Sequence, residues 1–215
     1  MKQAMYSRLK KKLQELLRNR APGGLLACRL AAMTAFLAVA AGALAMPSAA
    51  QAAPFRLEQD VVPNESQASA PELVRRADGI AIGSFGESDR MVQTGKSAPQ
   101  GKLVNFVQTF TVKRWIKGGS GSALTVVTTG IEPLPPPSQL EANERYPGAW
   151  ATGPDYLLFL HKLEGTDSYV PLGLLQGVYP IQGGRTVSLE DKGFPQLNGI
   201  AEAGVPQAVE RLAGT

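Results

Sequence analysis

The sequence predicts a mainly β domain on two observations: residues 102–116 alternate like a strand, and a glycine turn follows them. One parity is apolar and is interrupted only by Gln108. Its members are Val104, Phe106, Phe110 and Val112. Neighbouring strand side chains point to opposite faces, so one face is expected to be buried and the other solvated. Glycines in 117–122 suit a chain reversal, and 123–129 is expected to return as a strand.

Shorter elements are expected before this hairpin. Ser69 and Glu72 have capping-box spacing, with a proline between them, which predicts a short helix over 70–77. A small strand over 79–83 should follow, in which Gly83 marks a bulge or a close backbone approach. The polar residues 86–100 are typical of a loop.

Further strands and a final helix are expected after the hairpin. Residues 156–160 are continuously apolar, as in a central strand that is covered on both faces. The other expected elements are strands over 169–172 and 174–181, a Gly183-Gly184 turn, a return strand over 185–189 and a helix over 206–213. The proline-rich residues 131–137 are expected to form a connector outside the sheet, and 138–154 an ordered loop.

The N-terminal 52 residues have the three parts of a secretory signal peptide. A basic start precedes an uncharged run over 30–45, and small residues follow at 50–52, which favours cleavage after Ala52. The alternative is an uncleaved anchor, but 16 residues span only about 24 Å as a helix, short of a ~30 Å hydrocarbon core. We therefore expect a secreted or cell-envelope protein that leaves the membrane after cleavage. Residues 53–68 are expected to be a flexible linker, and 69–215 a single domain.

Charge and cysteine content bear on nucleic-acid binding and on disulfide bonds in the exported part. The first 52 residues hold eight of the 22 basic residues and one of the 18 acidic ones, so 14 basic and 17 acidic residues remain, a formal net charge of −3. Since phosphate-backbone binding needs clustered cations, we expect no nucleic-acid partner. The single cysteine, Cys28, lies in the predicted signal peptide, so the exported part would have neither a disulfide nor a thiol.

The order of these motifs resembles the netrin/TIMP-like (NTR) modules, in the form of small secreted bacterial proteins. The motifs are Ala77-Asp78, Ile80–Gly83, Phe110–Val112 with Lys117-Gly118, Thr125–Val127 and Tyr156–Leu160. The resemblance implies a small, closed or partly open OB-like β-barrel, with a short helix before the first strand and a short C-terminal helix. It does not imply metalloprotease inhibition, because the animal inhibitors chelate zinc through an N-terminal cysteine, whereas the expected mature start here is Ala53-Pro54.

No residue pattern predicts catalysis, a cofactor or a metal site. His161, the only histidine, is expected to be exposed or structural at a strand end. Glu87 with Asp89, and Glu164 with Asp167, could offer oxygen ligands to calcium but lack EF-hand spacing. Glu141 and Glu144 could act as a carboxylate pair, but no supporting motif accompanies them.

We therefore expect a non-catalytic binding module whose partner is an unknown protein or envelope component. Loops 86–100 and 131–154 would form the contact surface, with Tyr146 and Trp150 as its anchors. Two alternatives stay open. One is a small hydrolase that uses loop carboxylates, and the other is a protease inhibitor that acts through a loop.

Overall fold

The computed structural model describes residues 53–189 and 191–214, so the predicted signal peptide lies outside the described residues. The described strands are β1 (Gly79–Ala98), β2 (Gly101–Lys117), β3 (Ala123–Glu132), β4 (Asp155–Lys162), β5 (Ser168–Pro171), β6 (Val178–Gln182) and β7 (Arg185–Thr186). The α-helices are α1 (Ala70–Arg76), α2 (Leu140–Arg145) and α3 (Val205–Ala213). Short 3₁₀ helices lie at Leu174–Gly177, Pro195–Leu197 and Glu202–Gly204.

Five of the strands close into a ring. The sheet order is β1-β2-β3-β5-β4-β6-β7, and β1 also pairs with β4. The strands β1, β2, β3, β5 and β4 therefore form the ring. All pairings in the ring are antiparallel except β3 with β5. The prediction of a mainly β, barrel-like fold with a helix before β1 and a C-terminal helix is confirmed.

The ring has an apolar core inside and apolar layers outside. Inside the ring, apolar side chains from its strands pack in one cluster that includes Phe85, Phe110, Val126 and Leu158. Helices α1 and α3 pack against the opposite face of β1, β4 and β6. The predicted hairpin is confirmed: Phe110 is fully buried, and Phe106 and Val112 are half-buried. The alternation of β2 therefore does separate two faces, although both are covered along much of its length.

Gly83 lies where the β1 backbone closely approaches β2. A Cβ atom added to it would be 2.1 Å from the carbonyl oxygen of Thr111 on β2. The β1–β2 register shifts between Ile82 and Gly83, while β1 stays in regular register with β4. The predicted bulge with close backbone approach is confirmed, and glycine is needed here because β1 is bonded on both sides.

The predicted loop over 86–100 is wrong, because β1 continues through it to Ala98. This second half of β1, Phe85–Ala98, pairs only with β2 and carries register shifts near Ser88 and after Gln93. Polar and charged residues on an edge strand do not need to pack against a core, so the segment lacks the apolar alternation of a half-buried strand.

The sequence predicted one strand over residues 174–181, and this prediction is wrong. Leu174–Gly177 forms a 3₁₀ helix, and the strand begins only at Val178. A Cβ at Gly177 would lie 2.3 Å from the carbonyl oxygen of Leu172, so the chain needs glycine to turn this closely. The return strand is also shorter than predicted, since β7 contains only Arg185 and Thr186.

Candidate partner-contact surface

The predicted contact loop 131–154 presents apolar side chains to solvent. It contains the end of β3, the proline-rich connector and α2. Among the described residues, the exposed large hydrophobic side chains are Leu134 at 79%, Met91 at 59% and Leu140 at 58%. Leu134 and Leu140 belong to this loop, whereas Met91 lies on the second half of β1. These two leucines leave most of their apolar surface outside the core, and we take the loop that carries them as the candidate contact surface.

Trp150 and Tyr146 are both half-buried, so the structure leaves their predicted role as anchors a prediction. Trp150 lies beside Phe85 and Tyr156, with ring centroids 6.3 and 6.4 Å apart. Its indole Nε1 is buried and has no hydrogen-bond partner among the described residues. Tyr146 packs against the small cluster of Leu103, Ile131 and Ala142, and the Arg145 guanidinium lies 5.4 Å from its ring centroid.

Gln108 holds the Trp150 end of this loop. The Gln108 side chain is 2% exposed, and its Oε1 accepts a hydrogen bond from the Trp150 N–H at 2.7 Å. Its Nε2 donates to the carbonyl oxygens of Trp150 at 3.0 Å and of Gly86 at 3.1 Å. The side-chain amide thus pairs with the loop backbone as a neighbouring strand would, which satisfies polar groups that cannot reach water. Sequence reasoning noted Gln108 only as an interruption of the apolar row.

The segment predicted as a linker, residues 53–68, is hydrogen-bonded to the rest of the domain at several points; we call it the N-terminal strap. Buried Asn105 donates to the carbonyl oxygens of Leu57 at 2.9 Å and of Asp60 at 2.7 Å. The hydroxyl of Thr129 donates to Asn105 Oδ1 at 2.7 Å and accepts from the Val62 N–H at 3.0 Å. Val62 is 5% exposed, so the strap covers the outer face of β2 and β3 instead of extending freely from the domain.

Replacing Asn105 with alanine is expected to loosen the strap. Two strap carbonyl groups and the Thr129 hydroxyl would lose their partner in a buried site, at a cost of about 2 kcal/mol. Limited proteolysis should then cut residues 53–62 faster, and urea unfolding should show the lower stability. Asn64, an exposed asparagine in the same strap, gives the matched control, and its alanine variant should behave like the wild type. Equal cleavage rates for the two variants would show that Asn105 does not hold the strap.

His161 has a carboxylate partner that the sequence did not reveal. Its Nδ1 lies 2.7 Å from Asp78 Oδ2, which also accepts from the Lys162 N–H at 2.8 Å. The histidine side chain is 43% exposed and lies at the strand end, as predicted. It lines a recess of about 640 Å³ between the strap and β4. No serine or cysteine is among the lining residues of that recess, so the His161–Asp78 pair has no hydroxyl or thiol of those residues beside it to complete a triad.

Three of the acidic residues considered for calcium or hydrolysis, Asp89, Asp167 and Glu144, have other side-chain partners. Asp89 Oδ2 accepts a hydrogen bond from the Thr109 hydroxyl at 2.7 Å, and Asp167 pairs with Lys162 at 3.3 Å. Within residues 53–189 and 191–214, no three His, Cys, Asp or Glu side chains are grouped to hold a metal ion. Glu144 pairs with Lys192 at 3.0 Å beside an open recess of about 310 Å³, which Glu141 also lines.

Among the described residues, three side chains have a pKa that is shifted from its ordinary value. Burial raises the pKa of Tyr179 to about 12, although the hydrogen bond from the Phe194 N–H opposes this. Burial also raises the pKa of Tyr156. A hydrogen bond with Asp155 at 2.6 Å raises the pKa of the exposed Lys113. The tyrosines stay neutral inside the fold and the lysine stays charged outside it, so these shifts accompany packing and surface pairing.

Comparisons with protein-family models, with curated proteins and with solved structures find no match to this chain. Within the part of the chain that the structure describes, no helix has the length and apolar character of a membrane span.

Proposed function

We propose that the protein is an exported, non-catalytic binding module, and that the contact loop 131–154 engages a protein or envelope component. The observation that carries this proposal is the exposure of Leu134, on the proline-rich connector, and of Leu140, at the start of α2, within the same loop. Burying exposed leucine surface against a partner is favourable at about 25 cal/mol per Å² of apolar area. Export is proposed from the signal-peptide pattern of residues 1–52.

The fixed end of the loop supports this proposal. Gln108 and the Thr128 hydroxyl, which donates to the Gly148 carbonyl oxygen at 2.6 Å, hold the 148–150 end against the ring. A pre-positioned loop loses less conformational freedom on binding than a free one. Trp150, at the held end, and Tyr146 would be the aromatic anchors of the contact. An NTR-like module of the OB type would present its loops in this general manner.

The experiment is capture from envelope fractions with the exported protein as bait. The Leu134→Ser/Leu140→Ser double variant is expected to lose capture of any partner that the wild type retains reproducibly. Met91→Ser removes a hydrophobic side chain that is about as exposed as Leu140 but lies outside the loop, and it is expected to keep that capture. A partner that both variants retain equally well would contradict this assignment of the surface, and no retained partner at all would contradict the binding-module proposal.

The two enzyme-related alternatives are separated by activity assays on the same protein. A loop-based protease inhibitor predicts stoichiometric inhibition of at least one protease in a panel, with loss of inhibition in the double leucine variant. A carboxylate hydrolase predicts turnover that Glu141→Gln or Glu144→Gln abolishes. Either result would replace the non-catalytic, partner-binding proposal.

A further inference from the structure

The second half of β1 is an open sheet edge. Residues Gly79–Ser84 of β1 pair with both β2 and β4, but pairing with β4 ends at Ser84. From Phe85 to Ala98, β1 pairs with β2 alone among the described residues, so no strand covers its other side, although the Gly86 carbonyl oxygen accepts from Gln108 Nε2 and the Lys96 N–H donates to Thr94 Oγ1. Such an edge can accept another strand unless its side chains prevent the approach. We call residues Phe85–Ala98 the β1 edge.

The side chains of the β1 edge select among the strands that could pair with it. Glu87 and Lys96 are exposed near its two ends and form no ion pair within the described residues. Met91, 59% exposed, lies near the centre beside the half-buried Val92. The register shifts on either side of this centre disfavour pairing with an arbitrary flat strand. A strand that fits must therefore match the charges at both ends and cover the apolar centre.

A second copy in antiparallel orientation meets these requirements. If the two copies are related by a two-fold axis near Met91 and Val92, Glu87 of each copy approaches Lys96 of the other. This arrangement gives two Glu–Lys ion pairs. Parallel pairing in register would instead place Glu87 against Glu87 and Lys96 against Lys96. Opposite charges across strands stabilise pairing, while like charges destabilise it. The same residues would serve on both sides of the contact, as in a two-fold dimer.

We propose that two copies of the protein associate through antiparallel pairing of their β1 edges, with Glu87 of each copy facing Lys96 of the other and Met91 covered at the centre. This contact does not involve Leu134 or Leu140, so it is independent of the proposed partner surface.

The test is light scattering coupled to size-exclusion chromatography, with the exported protein over a range of concentrations at low salt. The wild type is expected to be dimeric at high concentration. Glu87→Lys and Lys96→Glu should each raise the dimer Kd by about tenfold or more, since each turns two attractive pairs into repulsive ones. Glu210→Lys makes the same charge change on α3, at an exposed position outside the edge, and should leave the Kd unchanged.

Mixing the two variants distinguishes this contact from a general charge effect. An equimolar mixture of Glu87→Lys and Lys96→Glu should form the heterodimer, because the introduced lysine of one copy then faces the introduced glutamate of the other. The unchanged Glu87 and Lys96 would face each other in the second pair. The double variant carrying both changes should dimerise like the wild type.

Three results would each overturn the proposal: a wild type that stays monomeric, single variants with an unchanged Kd, or a mixture that does not recover the dimer. The capture experiment with the Leu134→Ser/Leu140→Ser variant is unaffected by any of these outcomes.

Discussion

Replacing Gly83 with alanine is expected to lower the free energy of unfolding by about 3 kcal/mol, as for overpacking in a close-packed core. The new Cβ would be 2.1 Å from the Thr111 carbonyl oxygen and 2.8 Å from the Phe110 ring. Strand β1 cannot move away from β2 without disturbing its regular pairing with β4 on the other side. Equilibrium unfolding in urea, with an unchanged m-value, would measure the loss.

Gly86 provides a control on the same strand. A Cβ there would lie 3.5 Å from the Thr109 carbonyl oxygen, which is an ordinary contact, and β1 has no second neighbour at this point. Gly86→Ala should therefore change stability by less than about 1 kcal/mol. If the two alanine variants were equally stable, the closure of the ring at Gly83 would be in doubt.

Replacing Gln108 with alanine is expected to cost about 3 kcal/mol and to release the Trp150 end of the contact loop. The Trp150 N–H and the carbonyl groups of Trp150 and Gly86 would all lose their partner, and each buried polar group left unpaired costs about 1–3 kcal/mol unless water reaches it. Urea unfolding would measure the cost, and hydrogen exchange of the Trp150 amide would report the release.

Gln100 is the matched control, since it is an exposed glutamine in the turn between β1 and β2. Gln100→Ala should leave both the stability and the Trp150 amide exchange near their wild-type values. If Gln108→Ala lowered the stability but left that amide protected, the loop would be held by contacts other than this side chain. The proposed partner surface would then keep its shape without Gln108.

The sequence predicted the elements that depend on local residue preferences and on the separation of apolar from polar side chains. Alternation in β2, the apolar run of β4, the Gly183-Gly184 turn and the capping residue Ser69 all report local preferences that the fold keeps. Ser69 Oγ accepts from the Glu72 N–H at 3.3 Å, as a capping box requires. The Glu72 carboxylate, however, accepts from the Ala68 N–H at 2.9 Å, one residue earlier than the motif predicts.

The features that the sequence did not predict depend on partners distant in the chain. Gln108 and Asn105 look like polar interruptions of a strand, because their bonds to Trp150 and Leu57 exist only in the folded protein. Gln176 is similar: its Oε1 accepts from the Gln67 N–H at 2.8 Å, which anchors the strap to the 3₁₀ turn. Buried amide side chains thus replace strand pairing where peripheral segments join the ring, and no local pattern signals that role.

The candidate site was only partly predictable for the same reason. The sequence predicts a contact role for loop 131–154 from its place in an OB-type barrel and from its aromatic residues Tyr146 and Trp150. The exposure of Leu134 and Leu140 could not be read from the sequence, because an isolated leucine carries no periodicity to show which way it faces. The His161–Asp78 pair also joins residues that are far apart in the chain, so it required the pairing of β1 with β4 to be known.

The closure of the ring by β1 and β4 is the central claim, and nuclear Overhauser effects between backbone protons test it most directly. Residues Gly79–Ser84 should show cross-strand contacts to Thr111–Lys117 on β2 and also to Asp155–Leu160 on β4. Contacts to β2 alone would contradict the account, because β1 would then be the edge of an open sheet along its whole length.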